Sequence, residues 1–227
     1  MKNKPIIIVS GEPFSIFLEI FFKLFKLKFI KKYKYPIILI ASEKLVREQM
    51  KHLGFKIKIK LINQKQIHKN NFSNSQINLI NVKLNYKKPF DKITSKSSQY
   101  IKKCFKVALN LIISKKASIL INGPISKKHF LGKNHLGITE FLAKKTGKTG
   151  KEVMLIYNKF LSVCPVTTHL PLKKVAKELS KEKIIYKINC INKFYKKNFK
   201  KKPRFGVSGL NPHCESNYVN SEEENII

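Results

Sequence analysis

Arginine, aspartate and tryptophan are nearly missing from this chain. Only Arg47 and Arg204 are arginines among 47 basic residues, Asp91 is the sole aspartate, and there is no tryptophan. Nucleic-acid-binding surfaces commonly fork arginine onto phosphates and bases. The shortage therefore argues against specific nucleic-acid recognition, in spite of a formal charge of +34. The lysines lie in almost every segment instead of forming one stripe. Lys, Ile and Asn rising together while Arg and Asp fall points to a coding bias toward A and T. Weak, salt-sensitive attraction to polyanions is expected either way.

Cysteine is also scarce. Cys104, Cys164, Cys190 and Cys214 are far apart and form no CxxC pair. That excludes a zinc knuckle and a thioredoxin-type redox motif, and it fits a reduced, cytoplasmic chain. Long apolar runs are absent as well. IIIV at 6–9 is too short for a signal peptide. FSIFLEIFFKLFKLKFI carries Glu19, Lys23, Lys26 and Lys28, too many charges for a membrane span. No membrane association is expected.

What is present is enough for a core: 227 residues, 43% of them hydrophobic. The buried-strand runs PIIIV (5–9), PIILIA (36–41), INLINV (77–82) and ASILI (117–121) alternate with helical patterns over 15–27, 42–54 and about 95–114. FKIKIKLI (55–62) alternates as a half-exposed strand should. EVMLIY (152–157), LSVCPVT (161–167) and RFGVSG (204–209) read as three further strands, with helices across 172–199. The alternation predicts an α/β fold, a mainly parallel sheet flanked by helices, treated as a single region over 1–227. There is no internal repeat and no low-complexity tail.

In such sheets function gathers in the turns after the strands. SGEP (10–13) follows the first strand, and NGPISK (122–127) follows ASILI. In the latter, Gly123 lets backbone N–H groups approach an anion, Ser126 can cap a helix, and Lys127 and Lys128 add charge. TTHLPL (167–172) carries His169 behind two threonines, and GLNPH (209–213) carries His213 behind Pro212. Each histidine fits either a hydrogen-bonded turn or a metal ligand, and a catalytic divalent ion needs about three protein ligands.

Taken in order, SGEP, INGPISK, GITEF (137–141), TTHLPL and GLNPH resemble the 4-hydroxythreonine-4-phosphate dehydrogenases of vitamin B6 synthesis, across essentially the whole chain. The resemblance implies an isocitrate/isopropylmalate dehydrogenase-like fold. It implies NAD- or NADP-dependent oxidation of 4-phosphohydroxy-L-threonine, followed by decarboxylation to 3-amino-2-oxopropyl phosphate, a step toward pyridoxal phosphate. It implies a small phosphorylated substrate, a homodimer, and one divalent ion (zinc, magnesium or cobalt). A Lewis acid suits both halves of that chemistry. The first two of the family's three histidine ligands map onto His169 and His213, and a substrate contact maps onto Thr139.

The chain departs from the family pattern in places. Ile138 stands where the family has the substrate histidine before Thr139; His135 is the nearest imidazole, out of register. Two glycines of the family's GEPAGIG turn are Ser15 and Phe17 here. The family's third histidine lies well beyond GLNPH, and the sequence given stops at Ile227 inside SEEENII, a stretch with capping-box spacing from Ser221 to Glu224. On this reading the family's last third is missing, and the 227-residue chain is expected to be inactive. Two alternatives are a sister dehydrogenase for another phosphorylated hydroxy acid and a basic protein that binds nucleic acid or an anionic surface.

Overall fold

A computed structural model describes residues 4–67, 72–131, 137–211, 214 and 221–227. The chain divides into two compact units, Met1–Gly147 and Lys148–Ile227.

The first unit is a five-stranded sheet, β1 (Ile6–Val9), β2 (Ile37–Ala41), β3 (Ile59–Leu61), β4 (Ile77–Asn81) and β5 (Ile119–Asn122), in the order β3-β4-β2-β1-β5. Every pairing is parallel. Parallel neighbours need crossovers, and helices supply most of them. α1 (Phe17–Lys26) and α2 (Lys28–Lys32) join β1 to β2, α3 (Glu43–His52) joins β2 to β3, and α4 (Ser98–Ile113) joins β4 to β5. α5 (Ile138–Lys145) follows β5.

β1 and β2 are buried along their whole length, because helices cover both faces. Ile7, Val9, Ile38 and Ile40 pack against Tyr100, Ile101, Phe105 and Ala108 of α4. The alternate residues Ile6, Ile8 and Leu39 pack against Leu18, Phe21, Phe22 and Phe25 of α1 and Leu45 and Val46 of α3. The Ser start expected for α3 is present, with Ser42 Oγ accepting from the Leu45 N–H.

The second unit departs from the sequence reading. The expected strands over 152–157 and 161–167 meet only as the antiparallel pair Ile156–Val163, through hydrogen bonds of 2.8 and 3.0 Å. RFGVSG forms no strand among the described residues. Strand propensity is local, whereas a ladder needs a partner at the right register. Pro165 also removes one donor from the second segment. The helices hold up better: α6 (Val175–Glu178) and α7 (Lys181–Phe199), the latter capped by Ser180, occupy the expected stretch. Tyr195 and Phe199 of α7 pack on Tyr157, and Phe194 packs on Tyr195 and Phe199. α8 (Glu222–Asn225) begins directly after Ser221.

The carboxyl ends of β1 and β5 are joined backbone to backbone. Gly11 has φ +73, and a Cβ there would run into the Pro124 carbonyl oxygen. A Cβ on Gly123 would run into the Ser10 carbonyl oxygen. The Gly123 N–H donates to Val9 O at 2.7 Å and the Glu12 N–H to Pro124 O at 2.8 Å. Gly11→Ala and Gly123→Ala are each expected to cost about 2–4 kcal/mol in urea denaturation. Gly54 also has positive φ (+71) but open space around it. Its alanine variant should lose only about 1–2 kcal/mol. Equal losses at all three sites would mean that the contact between the turns is not the constraint.

Candidate functional site

β1 sends its crossover to one side of the sheet, toward β2, while β5 lies on its other side. The gap beyond the carboxyl ends of β1 and β5 is thus a topological switch point, where open α/β sheets bind ligands. The Ser10–Pro13 turn closes one side of it and the Asn122–Lys127 turn the other.

Glu12 holds these turns together. It is only 2% exposed. The Ser97 hydroxyl, just before α4, donates to its Oε2 at 2.8 Å, and the Ser126 N–H donates to Oε1 at 3.3 Å. Its own carbonyl accepts from Ser15 Oγ at 2.8 Å. A second buried link lies beside it. The Tyr100 hydroxyl accepts from the Ser42 N–H at 2.9 Å and sits 3.5 Å from Ser10 Oγ. Burial pushes the Tyr100 pKa well above its ordinary value, so the phenol stays neutral.

These bonds change the reading of NGPISK. Gly123 and Ser126 spend their N–H groups on Val9 O and on the Glu12 carboxylate, and Pro124 has none. The backbone N–H groups read as an anion seat are therefore largely committed inside the protein. Ser126 caps the short helical segment Lys127–Leu131, its Oγ accepting from the His129 N–H at 3.2 Å. What the turn offers outward is a cleft of about 410 Å³. Phe17, Ile125, Leu131 and Ile138 make apolar walls, and Asn122 and Lys127 are the polar side chains. Ile138 opens α5, and Thr139 follows it, half-buried. His135 lies outside the described residues.

The histidine turns belong to the second unit. His169 is exposed and sits in the left-handed region at φ +57, a conformation that histidine visits more than most residues. Among the described residues neither Thr167 nor Thr168 hydrogen-bonds its ring, so the threonines do not orient it here. His213 lies outside the described residues, but its turn is visible up to Asn211. Glu223 Oε1 of α8 accepts from both the Asn211 N–H (2.8 Å) and the Asn211 Nδ2 (3.0 Å). Cys214, also left-handed at φ +55, donates its N–H back to Asn211 O at 3.1 Å. The Asn211 N–H holds the Glu223 carboxyl below the usual glutamate range. No cluster of three His, Cys, Asp or Glu side chains suited to a metal occurs among the described residues. His169 alone is too few ligands for a divalent ion.

Sequence reading missed Glu12. The available signal was an acid, rare in this chain, placed three residues after the end of a fully apolar strand.

A parallel sheet with a small crevice at its switch point defines the class: an α/β protein that takes a small ligand at the carboxyl edge of its strands. Residues 32–227 match the family described as pyridoxal phosphate biosynthetic protein PdxA. The chain belongs to that family, the 4-hydroxythreonine-4-phosphate dehydrogenases. It is 34% identical over 224 residues to the 4-hydroxythreonine-4-phosphate dehydrogenase of Sulfurihydrogenibium sp. (strain YO3AOP1), covering 97% of this chain and 67% of the relative. It is 27% identical over 232 residues to the D-threonate 4-phosphate dehydrogenase of Salmonella typhimurium, covering 100% and 69%. A crystal structure of a 4-hydroxythreonine-4-phosphate dehydrogenase from Burkholderia phymatum shares the fold, with TM-score 0.81 and 24% identity over 99% of this chain and 68% of that one. The chain thus spans about two thirds of the length of these relatives. No helix among the described residues is long and apolar enough to cross a membrane.

Two outcomes test the clamps. Glu12→Gln replaces one acceptor with a donor facing the Ser97 hydroxyl or the Ser126 N–H, and is expected to destabilise the protein by about 2–4 kcal/mol in urea. The Asn211–Glu223 clamp is stronger when Glu223 is ionised. Its contribution is complete above the ordinary glutamate pKa and fades as pH falls through the lower folded value. The Asn211 amide resonance should therefore titrate with a midpoint below that of an exposed glutamate. A midpoint at or above the ordinary value would disprove the clamp.

Proposed function

We propose that this chain carries the substrate-binding frame of a 4-hydroxythreonine-4-phosphate dehydrogenase. The reaction is oxidation of 4-phosphohydroxy-L-threonine by NAD or NADP, with decarboxylation to 3-amino-2-oxopropyl phosphate on the way to pyridoxal phosphate. The protein would act in the cytoplasm, as a homodimer. The observation that carries this reading is membership of the PdxA family over residues 32–227.

Thr139 would contact substrate from the start of α5. His169 and His213 would be the ligands of a divalent ion, which when bound would stabilise negative charge developing on the substrate oxygen. The exposure of His169 is compatible with that role, since its ring is not consumed by internal packing.

A second reading has its own support. Ile138 puts an apolar wall where the resemblance expects an imidazole, and a relative matching the whole chain is named for D-threonate 4-phosphate. The difference between the two substrates would be read beside that wall.

Calorimetric titration of both phosphorylated compounds, with zinc, magnesium or cobalt present, distinguishes the readings. Tighter binding of 4-phosphohydroxy-L-threonine supports the first, and tighter binding of D-threonate 4-phosphate supports the second. Failure of both to bind would sink the pair. NADH absorbance in the same mixtures tests turnover.

A further inference from the structure

We infer that the corner formed by the end of α1 and by α2 docks the protein on an anionic lipid surface. The inference goes beyond the dehydrogenase reading and does not depend on it. The expectation of no membrane association rests on the lack of a span, and a surface contact needs none. The charges that argue against a span in this stretch suit the face of a bilayer.

α1 returns from the carboxyl end of β1 to the amino end of β2, so its last turn and α2 lie at the edge of the sheet opposite the cleft. The two helices are separated at Leu27, whose backbone is extended. α2 has five residues and buries only Ile30. Leu27, Phe29 and Tyr33 are therefore left 48%, 59% and 43% exposed. Phe29 and Lys32, three residues apart in a helix, share a side. The corner is fixed in place by Asn74, which is buried. Asn74 Nδ2 donates to Tyr33 O at 3.1 Å and to Tyr35 O at 2.9 Å, and its Oδ1 accepts from the Ile37 N–H at 2.8 Å.

Lysines are common throughout this chain, so their number alone decides nothing. What sets this corner apart is the lack of acids and the apolar side chains between the lysines. Lys23, Lys26, Lys28, Lys31, Lys32 and Lys34 fall within twelve residues, and Glu19 is the one acid between residues 13 and 42. Glu19 is paired with Lys23 at 2.6 Å, and Lys26 lies over the Phe55 ring. Lys28, Lys31 and Lys32 are exposed. Clusters of about four to eight lysines on a helical segment attract anionic headgroups. Exposed leucine and phenylalanine among them enter the boundary between headgroups and acyl chains. A single-stranded RNA surface would instead favour arginine and stacking rings, and Leu27 serves neither. The lysine-rich end of α7 lacks the combination, because Phe194 and Phe199 pack on each other and on Tyr195.

The chain has no tryptophan, so Phe29→Trp puts a single reporter in the corner. Phe160→Trp puts one on an exposed position of the second unit. Each full chain is titrated at about 0.15 M salt with vesicles of phosphatidylcholine containing about one third phosphatidylglycerol. Pure phosphatidylcholine vesicles and a single-stranded RNA are the comparison probes, and circular dichroism verifies folding. The anionic vesicles should blue-shift the emission of the Phe29→Trp chain and protect it from acrylamide. Neutral vesicles should do neither, and the Phe160→Trp chain should not respond. Changing Lys28, Lys31 and Lys32 together to Gln should weaken cosedimentation with anionic vesicles on the order of 100-fold. Phe29→Ser should weaken it about 10-fold. The same charge change at Lys196, Lys197 and Lys201 should cost less than about 5-fold. Equal losses at the two lysine sets, or equal shifts from both reporters, would mean indiscriminate adsorption of a basic chain and overturn the assignment. RNA binding that falls with the corner lysines, with Phe29→Ser changing neither probe, would make the corner a polyanion surface and overturn the membrane. Failure of the parent chain to bind anionic vesicles would overturn it as well.

Discussion

Two backbones touching at Gly11 and Gly123 constrain everything else in the first unit. β1 and β5 are adjacent parallel strands, and the turns that leave them would collide if either glycine carried a side chain. The contact leaves Glu12 inside, where its carboxylate would be costly without partners. Ser97 and Ser126 supply them. One buried acid therefore ties three segments distant in sequence: the end of β1, the start of α4 and the end of β5. The Tyr100 hydroxyl extends the same arrangement to Ser42 at the end of β2. The carboxyl edge of the sheet is thus held at three strands. A rigid edge of that kind is what a ligand site on loops requires.

The same arrangement explains why the outward face is sparse. Polar groups in these turns are spent on each other, so the cleft is mostly apolar and carries little charge. The polar side chains that line the cleft are Asn122 and Lys127, beside the apolar wall to which Ile138 contributes. The second unit uses a different device. His169 and Cys214 sit in left-handed backbone, and Glu223 clamps the turn that leads to His213. Non-glycine residues with positive φ persist where surroundings hold them; His169 lies within TTHLPL and Cys214 directly after GLNPH.

Four strands of the first unit were legible because each is a short apolar run bounded by turn residues, and the fifth, Ile59–Leu61, was legible from the alternation of FKIKIKLI. α3 was legible from its Ser start and Gly stop, and α4 from its apolar spacing. The later strands were overestimated for the same reason that the early ones succeeded. EVMLIY and RFGVSG have strand-like composition, but composition does not supply a neighbour. For the site, the turns after β1 and β5 were legible, while His169, His213 and Thr139 rest on the order of the motifs alone. The anion-binding reading of NGPISK was incomplete, because hydrogen bonding to Glu12 joins residues more than a hundred positions apart.

The sequence by itself determined the class of fold, the positions of the strand-end turns and the family, since these depend on local periodicity and on motifs in a fixed order. Tertiary structure decided which polar groups in those turns are free. That choice depends on which strands lie side by side, and the order β3-β4-β2-β1-β5 is a property of the packed sheet. Only when β5 lies beside β1 does Glu12 reach Ser126, and only then is Lys127 left facing the cleft.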